Sequence, residues 1–317
     1  MSTATQNLQF SFEVVAPVFC IVLLGFVLRR RQMITAEFIS VSSRLVFHIT
    51  LPIFVFVKLA NADFLQAFDG RIVGLAVGST LCVYLFAWIL AAVMIEDGKS
   101  QGAFIQGVYR SNYAIIGFAI VFNMHGDAGL NKAVILLSII LPLYNLLAIL
   151  ALTIPARQGR VSKKELLANI LTNPLNIAAL CGIGVSVLRL PLGRVVVDTA
   201  NYLAALTLPL ALIGIGGSLT FQSATSCLKE AALASGIKIV AYPLIFGSIA
   251  YGFGFRGEDF GVLFVLFASP TAVVSFIMAQ ATGNNADLAA NIVLFSTIGS
   301  VITLPTGIFL LRSFGLL

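Results

Sequence analysis

Charge is what this chain has least of. Only 10% of its 317 residues are Asp, Glu, Lys or Arg, against about 25% in soluble domains. So few charges cannot cover a soluble surface, which excludes a soluble enzyme, a nucleic-acid binder and a disordered chain. The formal net charge of +6 does not restore nucleic-acid binding, because the basic residues fall mostly between apolar runs. Cysteine is sparse too. Cys20, Cys82, Cys181 and Cys227 lie far apart with no CxxC, so neither a disulfide framework nor a zinc site follows, and small apolar packing residues are expected. No GxxxxGK[ST] is present, so no ATP-driven engine is encoded; HExxH, GxSxG and Asp-rich prenyl-diphosphate motifs are also missing. No enzyme, cofactor or metal site is therefore expected. The start, MSTATQNLQFSFE, has no basic n-region and carries Glu13, so no signal peptide is read.

What is abundant is apolar length. Hydrophobic residues make up 59% and there are 27 Gly. A membrane-spanning helix needs about 20 apolar residues. Ten such segments can be placed, near 9–28, 37–60, 71–95, 102–123, 130–154, 169–189, 195–219, 229–253, 260–281 and 286–311. The runs are continuous and longer than the alternating strands of roughly ten residues in a barrel, so helices are expected. An even count puts both termini on one side. With the termini outside, the inner loops hold nine Lys and Arg against seven outside, and both dense clusters, 29–31 and 157–164, fall inside. The positive-inside rule then favours both termini outside.

The prolines reveal a repeat. Pro17 and Pro52 are 35 residues apart, and so are Pro174 and Pro209, an offset of 157 between pairs. Ala16-Pro17 reaches Gly25 as Asn173-Pro174 reaches Gly182, and Thr50-Leu51-Pro52 matches Thr207-Leu208-Pro209. At an offset of 158, Ser111-Asn112 falls on Ser269-Pro270 and AVILLSII (133–140) on NIVLFSTI (291–298). Five spans per half is odd, so the halves would enter the membrane in opposite senses, an inverted-topology repeat. The expected organisation is a first five-helix repeat over 1–154, a cytoplasmic linker over 155–168 and a second, inverted repeat over 169–317.

The fourth span of each half is interrupted. One reads Gln106-Gly107-Val108-Tyr109-Arg110-Ser111-Asn112-Tyr113, then Gly117; the other reads Ala268-Ser269-Pro270-Thr271-Ala272, then Ser275. Irregular backbone survives at membrane depth only where protein or a watery cavity satisfies it. Two such spans in corresponding positions point to a substrate site, where half-helix N-termini can face an anion. Arg110 can fork onto a carboxylate, or else be spent on a salt bridge or snorkel to the interface. Asn112 reads as a site residue, with a helix–helix hydrogen bond as the structural alternative. Lys238 reads as a buried counter-charge or a snorkelling lysine. Asn145 and Asn201 read as helix glue or cavity lining, His48 with Arg44 as an interhelical hydrogen bond or a proton relay, and Glu13 as interfacial. Gly70, Gly74 and Gly78, and Gly214, Gly216 and Gly217, read as packing glycines.

Taken together, Arg44-Leu45-Val46-Phe47 leading to Leu51-Pro52, Arg110-Ser111-Asn112, Asn173-Pro174, Thr207-Leu208-Pro209 with Gly217-Ser218-Leu219, and Ser269-Pro270-Thr271-Ala272 resemble the auxin efflux carrier family over almost the whole chain. That family's bacterial members include malonate- and malate-type transporters. The resemblance implies an all-α membrane protein of ten helices in an inverted 5+5 repeat, like bile acid–sodium symporters, with spans 4 and 9 broken and crossing. It implies a scaffold of spans 1, 2, 6 and 7 that also makes a homodimer, a mobile core moving as an elevator, and a plasma-membrane location. Mapped here, the substrate residues would be Arg110, Asn112, Gly117, Ser269, Pro270, Thr271 and Ser275, beside Lys238 and Asn145. No Pro occurs between 110 and 126, so the first break rests on Gly117 and the Arg-Ser-Asn run. The expected function is secondary transport of a small organic anion such as malonate. A sodium-coupled symporter for bile-acid-like amphipaths and a channel-like or sensory protein remain open, although the spans hold almost no buried Asp or Glu for a sodium site.

Overall fold

The computed structural model describes residues 3–156, 168, 171–219 and 227–317. Most of the expected linker, 155–168, lies outside the described residues. Every element described is helical. Besides the single turn Phe64–Ala67, in chain order they are α1 (Thr3–Arg30), α2 (Ala36–Asn61), α3 (Gly70–Met94), α4 (Gly98–Tyr109), α5 (Tyr113–Thr153) and α6 (Pro174–Val187). Then come α7 (Arg194–Ser218), α8 (Leu228–Gly252), α9 (Gly257–Ala268), α10 (Val274–Ala281) and α11 (Ala286–Ser313). Among the described residues, seven helices are long and apolar enough to cross a membrane, namely α1, α2, α3, α5, α7, α8 and α11. The expected spans 102–123 and 260–281 are not continuous helices, and 169–189 is represented by the 14 residues of α6. The stretch labelled α5 is two helices joined at Gly126, whose φ of 63 and ψ of −150 are not helical: the first is the end of the span before, and the second covers the expected 130–154.

Short polar joints set the helix starts. The side chains of Thr35, Asp63, Asp97, Asn173 and Asn285 accept hydrogen bonds from backbone N–H groups that a helix start leaves free. Arg29 and Arg30 lie in the last turn of α1, at the negative end of its dipole. Pro52 and Pro243 each follow a π-helical turn, Val46–Thr50 and Ile237–Ala241. A proline ring clashes with the carbonyl four residues back, and the wider turn relieves that clash.

Close helix approaches fall at Gly216 and Gly217, as expected, and also at Gly25 and Gly182, which the packing stripes did not include. A Cβ on Gly25 would strike the backbone of Ile213, one on Gly216 that of Val22, and one on Gly182 that of Phe56. These positions press α1 against α7 and α2 against α6. By contrast Gly74 and Gly78 face open space, and Gly70 meets only the ring of Phe68 at 3.9 Å, so the expected packing role of that stripe does not hold within the chain. Cys20, Cys82 and Cys181 are exposed on helix surfaces rather than packed inside.

Burial places the centre of the molecule. Residues 102–113 and 260–272 are buried at every position. A helix that is covered on all sides belongs in a core. The two short helices α4 and α9 are thus wrapped by the rest, and their C-terminal ends meet.

Candidate substrate site at the two helix breaks

After Tyr109 the chain leaves helical geometry for three residues. Arg110 is extended (φ −84, ψ 101), and Asn112 has φ −79 and ψ 50 before the π-helical turn Tyr113–Gly117. After Ala268 it does the same, with Ser269 extended at ψ 138. There the cause is local, because the residue before a proline is pushed out of the α region and Pro270 has no N–H to give. The first break contains no proline. It is held by the second. Asn112 N–H donates to Pro270 O at 2.7 Å and Ala272 N–H donates to Arg110 O at 3.0 Å, a one-residue antiparallel bridge between Ser111 and Thr271.

The hydroxyls complete the exchange. Ser111 Oγ donates to Leu266 O at 2.7 Å, at the end of α9, and Thr271 Oγ1 donates to Gly107 O at 2.6 Å, at the end of α4. Each hydroxyl thus satisfies a carbonyl that the broken helix opposite would leave free. Thr271 N–H is taken by Ser296 Oγ of α11 at 3.1 Å. Gly117 is needed beside the bridge, since a Cβ there would lie 2.5 Å from the Tyr113 ring and 3.2 Å from Ser269 Oγ. Ser269 Oγ itself donates back to Val265 O at 2.6 Å.

Two cations lie buried here. Arg110 is 4% exposed, and its guanidinium reaches Asn145 Oδ1 at 2.9 Å, Tyr144 O at 3.4 Å and Met278 Sδ at 3.5 Å. Among the described residues no carboxylate pairs with it. Lys238 is fully buried in the π-helical turn of α8; its Nζ donates to Phe267 O at 2.7 Å and lies 4.7 Å from the Tyr242 ring centroid. It is spent on the carbonyl end of α9, where a cation also suits the helix dipole. At and beside the two breaks, several buried polar atoms have no partner among the described residues: Asn112 Nδ2, Asn145 Nδ2, Gln106 Oε1 and Ser275 Oγ. Buried polar groups are ordinarily hydrogen-bonded, so these mark a place built for more than packing.

The structure therefore brings Arg110, Asn112, Gly117, Ser269, Pro270, Thr271 and Asn145 together by direct contact, sets Ser275 in the first turn beyond the second break, and holds Lys238 behind that break. Two other readings change, at Asn201 and His48. Asn201 is exposed rather than packed between helices of the chain. His48 is exposed, with Nδ1 3.0 Å from Arg44 O on its own helix, so it makes no interhelical bond there. Glu13 is exposed and accepts from Gln9 Nε2 at 2.8 Å. Met278, Tyr144, Gln106 and Ser296 were not expected at the site. Gln106 had a signal, standing four residues before Arg110 on one helix face. Met278 and Ser296 had none, because an apolar or small side chain inside an apolar run looks like any other.

Comparison with known proteins places the molecule. Residues 10–308 match the family model described as membrane transport protein. A chain of buried, mutually braced broken helices inside apolar ones is thus a membrane transporter by class. It belongs to that family, the auxin efflux carriers. An uncharacterized transporter of Methanothermobacter thermautotrophicus is 25% identical over 299 residues, covering 93% of this chain and 96% of the relative. An uncharacterized transporter of Methanocaldococcus jannaschii is 22% identical over 304 residues, covering 92% and 96%.

Proposed function

We propose that the protein is a secondary transporter for a small organic anion, a carboxylate such as malonate, bound where the two breaks meet. The observation that carries this is Arg110: a buried guanidinium with neutral partners, beside amide and hydroxyl groups that lack partners of their own. A buried cation without a counter-charge is expensive. An arriving carboxylate would offset it, with the amides of Asn112 and Asn145 donating to the same anion. The half-helices that begin at Tyr113 and Val274 present their positive ends to this place.

The reading includes a ten-span inverted repeat, 1–154 and 169–317 joined by a cytoplasmic linker, with both termini outside a plasma membrane. Element boundaries support it. Ala36 and Arg194, Gly70 and Leu228, and Met94 and Gly252 each stand 158 apart. The ring pairs Tyr84–Tyr109 and Tyr242–Phe267, at 5.3 and 5.2 Å, repeat at 158 as well. In this reading α1, α2, α6 and α7 form a scaffold and a homodimer contact, and the rest moves against it as an elevator. No catalysis is involved.

Labelled-malonate counterflow into proteoliposomes tests the proposal without knowledge of the coupling ion. Wild type should exchange malonate, and Asn112→Ala and Arg110→Ala should not. Folded wild type that exchanges no member of a panel of mono- and dicarboxylates would overturn it.

A further inference from the structure

A second binding feature lies away from the breaks, on the side of α1. Between α1 and α11 runs a groove of ≈ 450 Å³, walled by Phe12, Phe19, Leu23 and Phe26 on one side and by Ile298 and Val301 on the other. From Phe12 to Phe26 it follows α1 for 14 residues, about 21 Å at ~1.5 Å per residue. That exceeds the roughly 15 Å depth of one leaflet's hydrocarbon, half of a ~30 Å core. At the Phe26 end stands a cluster of three arginines. The guanidinium of Arg30 lies 5.5 Å from the Phe26 ring centroid, Arg29 and Arg31 flank it, and all three are exposed. None of them forms an ion pair among the described residues.

We infer that this groove and its arginine cluster together form a binding site for an anionic phospholipid, with an acyl chain along α1 and the phosphate at Arg29–Arg31. An apolar groove alone would accept any acyl chain. The arginines add the selection, because basic residues at the end of a membrane helix attract anionic head groups by about 1 kcal/mol each. A second cavity makes the contrast. Between α8, α9 and α11 lies a groove of ≈ 420 Å³. Beside its lining residue Tyr251, Arg256 is stacked 3.9 Å from the Tyr251 ring centroid and donates to Tyr251 O and Phe255 O, and Arg312 is stacked 3.8 Å from the Phe10 ring centroid. These charges are spent on the protein, so that groove offers no anionic-lipid selection. The site proposed here sits between α1 and α11, where a seated lipid would also govern how those helices slide.

Cys20 lines the groove and is exposed, which supplies a probe. In a Cys82→Ala, Cys181→Ala, Cys227→Ala background, a fluorophore on Cys20 is read in phosphatidylcholine vesicles with a minor fraction of phosphatidylglycerol. Bromine is placed on the acyl chains of one lipid or the other. Brominated phosphatidylglycerol should quench several-fold more than an equal fraction of brominated phosphatidylcholine. Arg29→Gln, Arg30→Gln and Arg31→Gln should remove that preference, each by about fivefold in affinity. Equal quenching by both lipids would mean bulk lipid only and overturn the proposal, as would no quenching by either. Because the label could disturb folding, native mass spectrometry of the unlabelled, delipidated wild type and triple variant gives a second reading. Equal retention of phosphatidylglycerol by the two would overturn the proposal just as firmly.

Discussion

The chain breaks twice in its core, after Tyr109 and after Ala268, and the two breaks solve the same problem with different residues. Both end a 12-residue helix, both lend a hydroxyl to the opposite helix, and both set an aromatic ring against a tyrosine. The second break is made by Pro270 and its helix end is closed by Lys238 on Phe267 O. Its polar groups are nearly all used. The first break has no proline and leans on the second for its backbone bonds. It carries the guanidinium and the free amides. One break is a platform, and the other presents chemistry. A pseudo-symmetric pair can thus divide the work: rigidity written into one half frees the other to hold groups that need a partner from outside.

The largest effect expected from disturbing this division is at Arg110. Arg110→Ala and Arg110→Lys should both abolish malonate counterflow, since lysine keeps the charge but not the fork. A charged hydrogen bond is worth about 1.5–3 kcal/mol, so the apparent affinity should fall by roughly 10–150-fold. Lysine activity near wild type would place the value of Arg110 in charge alone. Lys238→Met should do the reverse. It leaves Phe267 O unpaired, at about 1–3 kcal/mol, and so should lower the thermal midpoint in detergent while leaving the half-saturating malonate concentration unchanged. A tenfold rise in that concentration would make Lys238 a substrate ligand and erase the contrast between the breaks.

Gly117→Ala comes next. The added Cβ meets the Tyr113 ring and Ser269 Oγ, and overpacking of this kind costs typically about 1–3 kcal/mol. Thermal denaturation should show that loss. Ser111→Ala and Thr271→Val form a matched pair, each removing one hydroxyl from a carbonyl at about 1 kcal/mol. Equal losses in the two would support the reciprocal exchange. A loss at Thr271 alone would mean the platform carries the bridge by itself.

How far the sequence announced this arrangement depends on the kind of residue. Pro270 and the Arg110-Ser111-Asn112 run stand out in an apolar stretch, and the helices do break there. Polar or conformationally special residues are legible because the membrane makes them costly. Which face of a helix is inside was not legible. In a soluble helix polar residues mark the outer face, but here the lipid-facing side is as apolar as the core. Hence Cys20, Cys82 and Cys181 looked like core and lie outside, and Gly74 and Gly78 looked like a contact while Gly25 and Gly182 make one. The partners of the site, Met278 and Ser296, were hidden for the same reason. They come from helices more than 150 residues away in sequence from Arg110 or from the far side of the second break.

The N-terminal ends of the two short helices extend the comparison, and they give the smallest effect. At α9 the first-turn acids Glu258 and Asp259 both pair with Lys132, at 2.8 and 2.6 Å. At α4 a single residue does the work: Asp97 accepts from Ser100 Oγ at 2.6 Å and from the N–H groups of Ser100 and Lys99. The Ser100 hydroxyl, with those backbone donors, holds the Asp97 carboxyl below its ordinary value. Its folded value is thus lower than its unfolded one, near 3.9 for a free Asp, roughly. The stability it contributes is present above the unfolded value and is lost as pH falls through the folded one. Asp97→Ala should cost about 1 kcal/mol near neutral pH. The gap between the thermal midpoints of wild type and variant in detergent should narrow as pH is lowered from 6 toward the acid limit of folding. A gap that stays constant with pH would show that the carboxylate charge is not what caps α4, and that the end of the presenting half is held by backbone geometry alone.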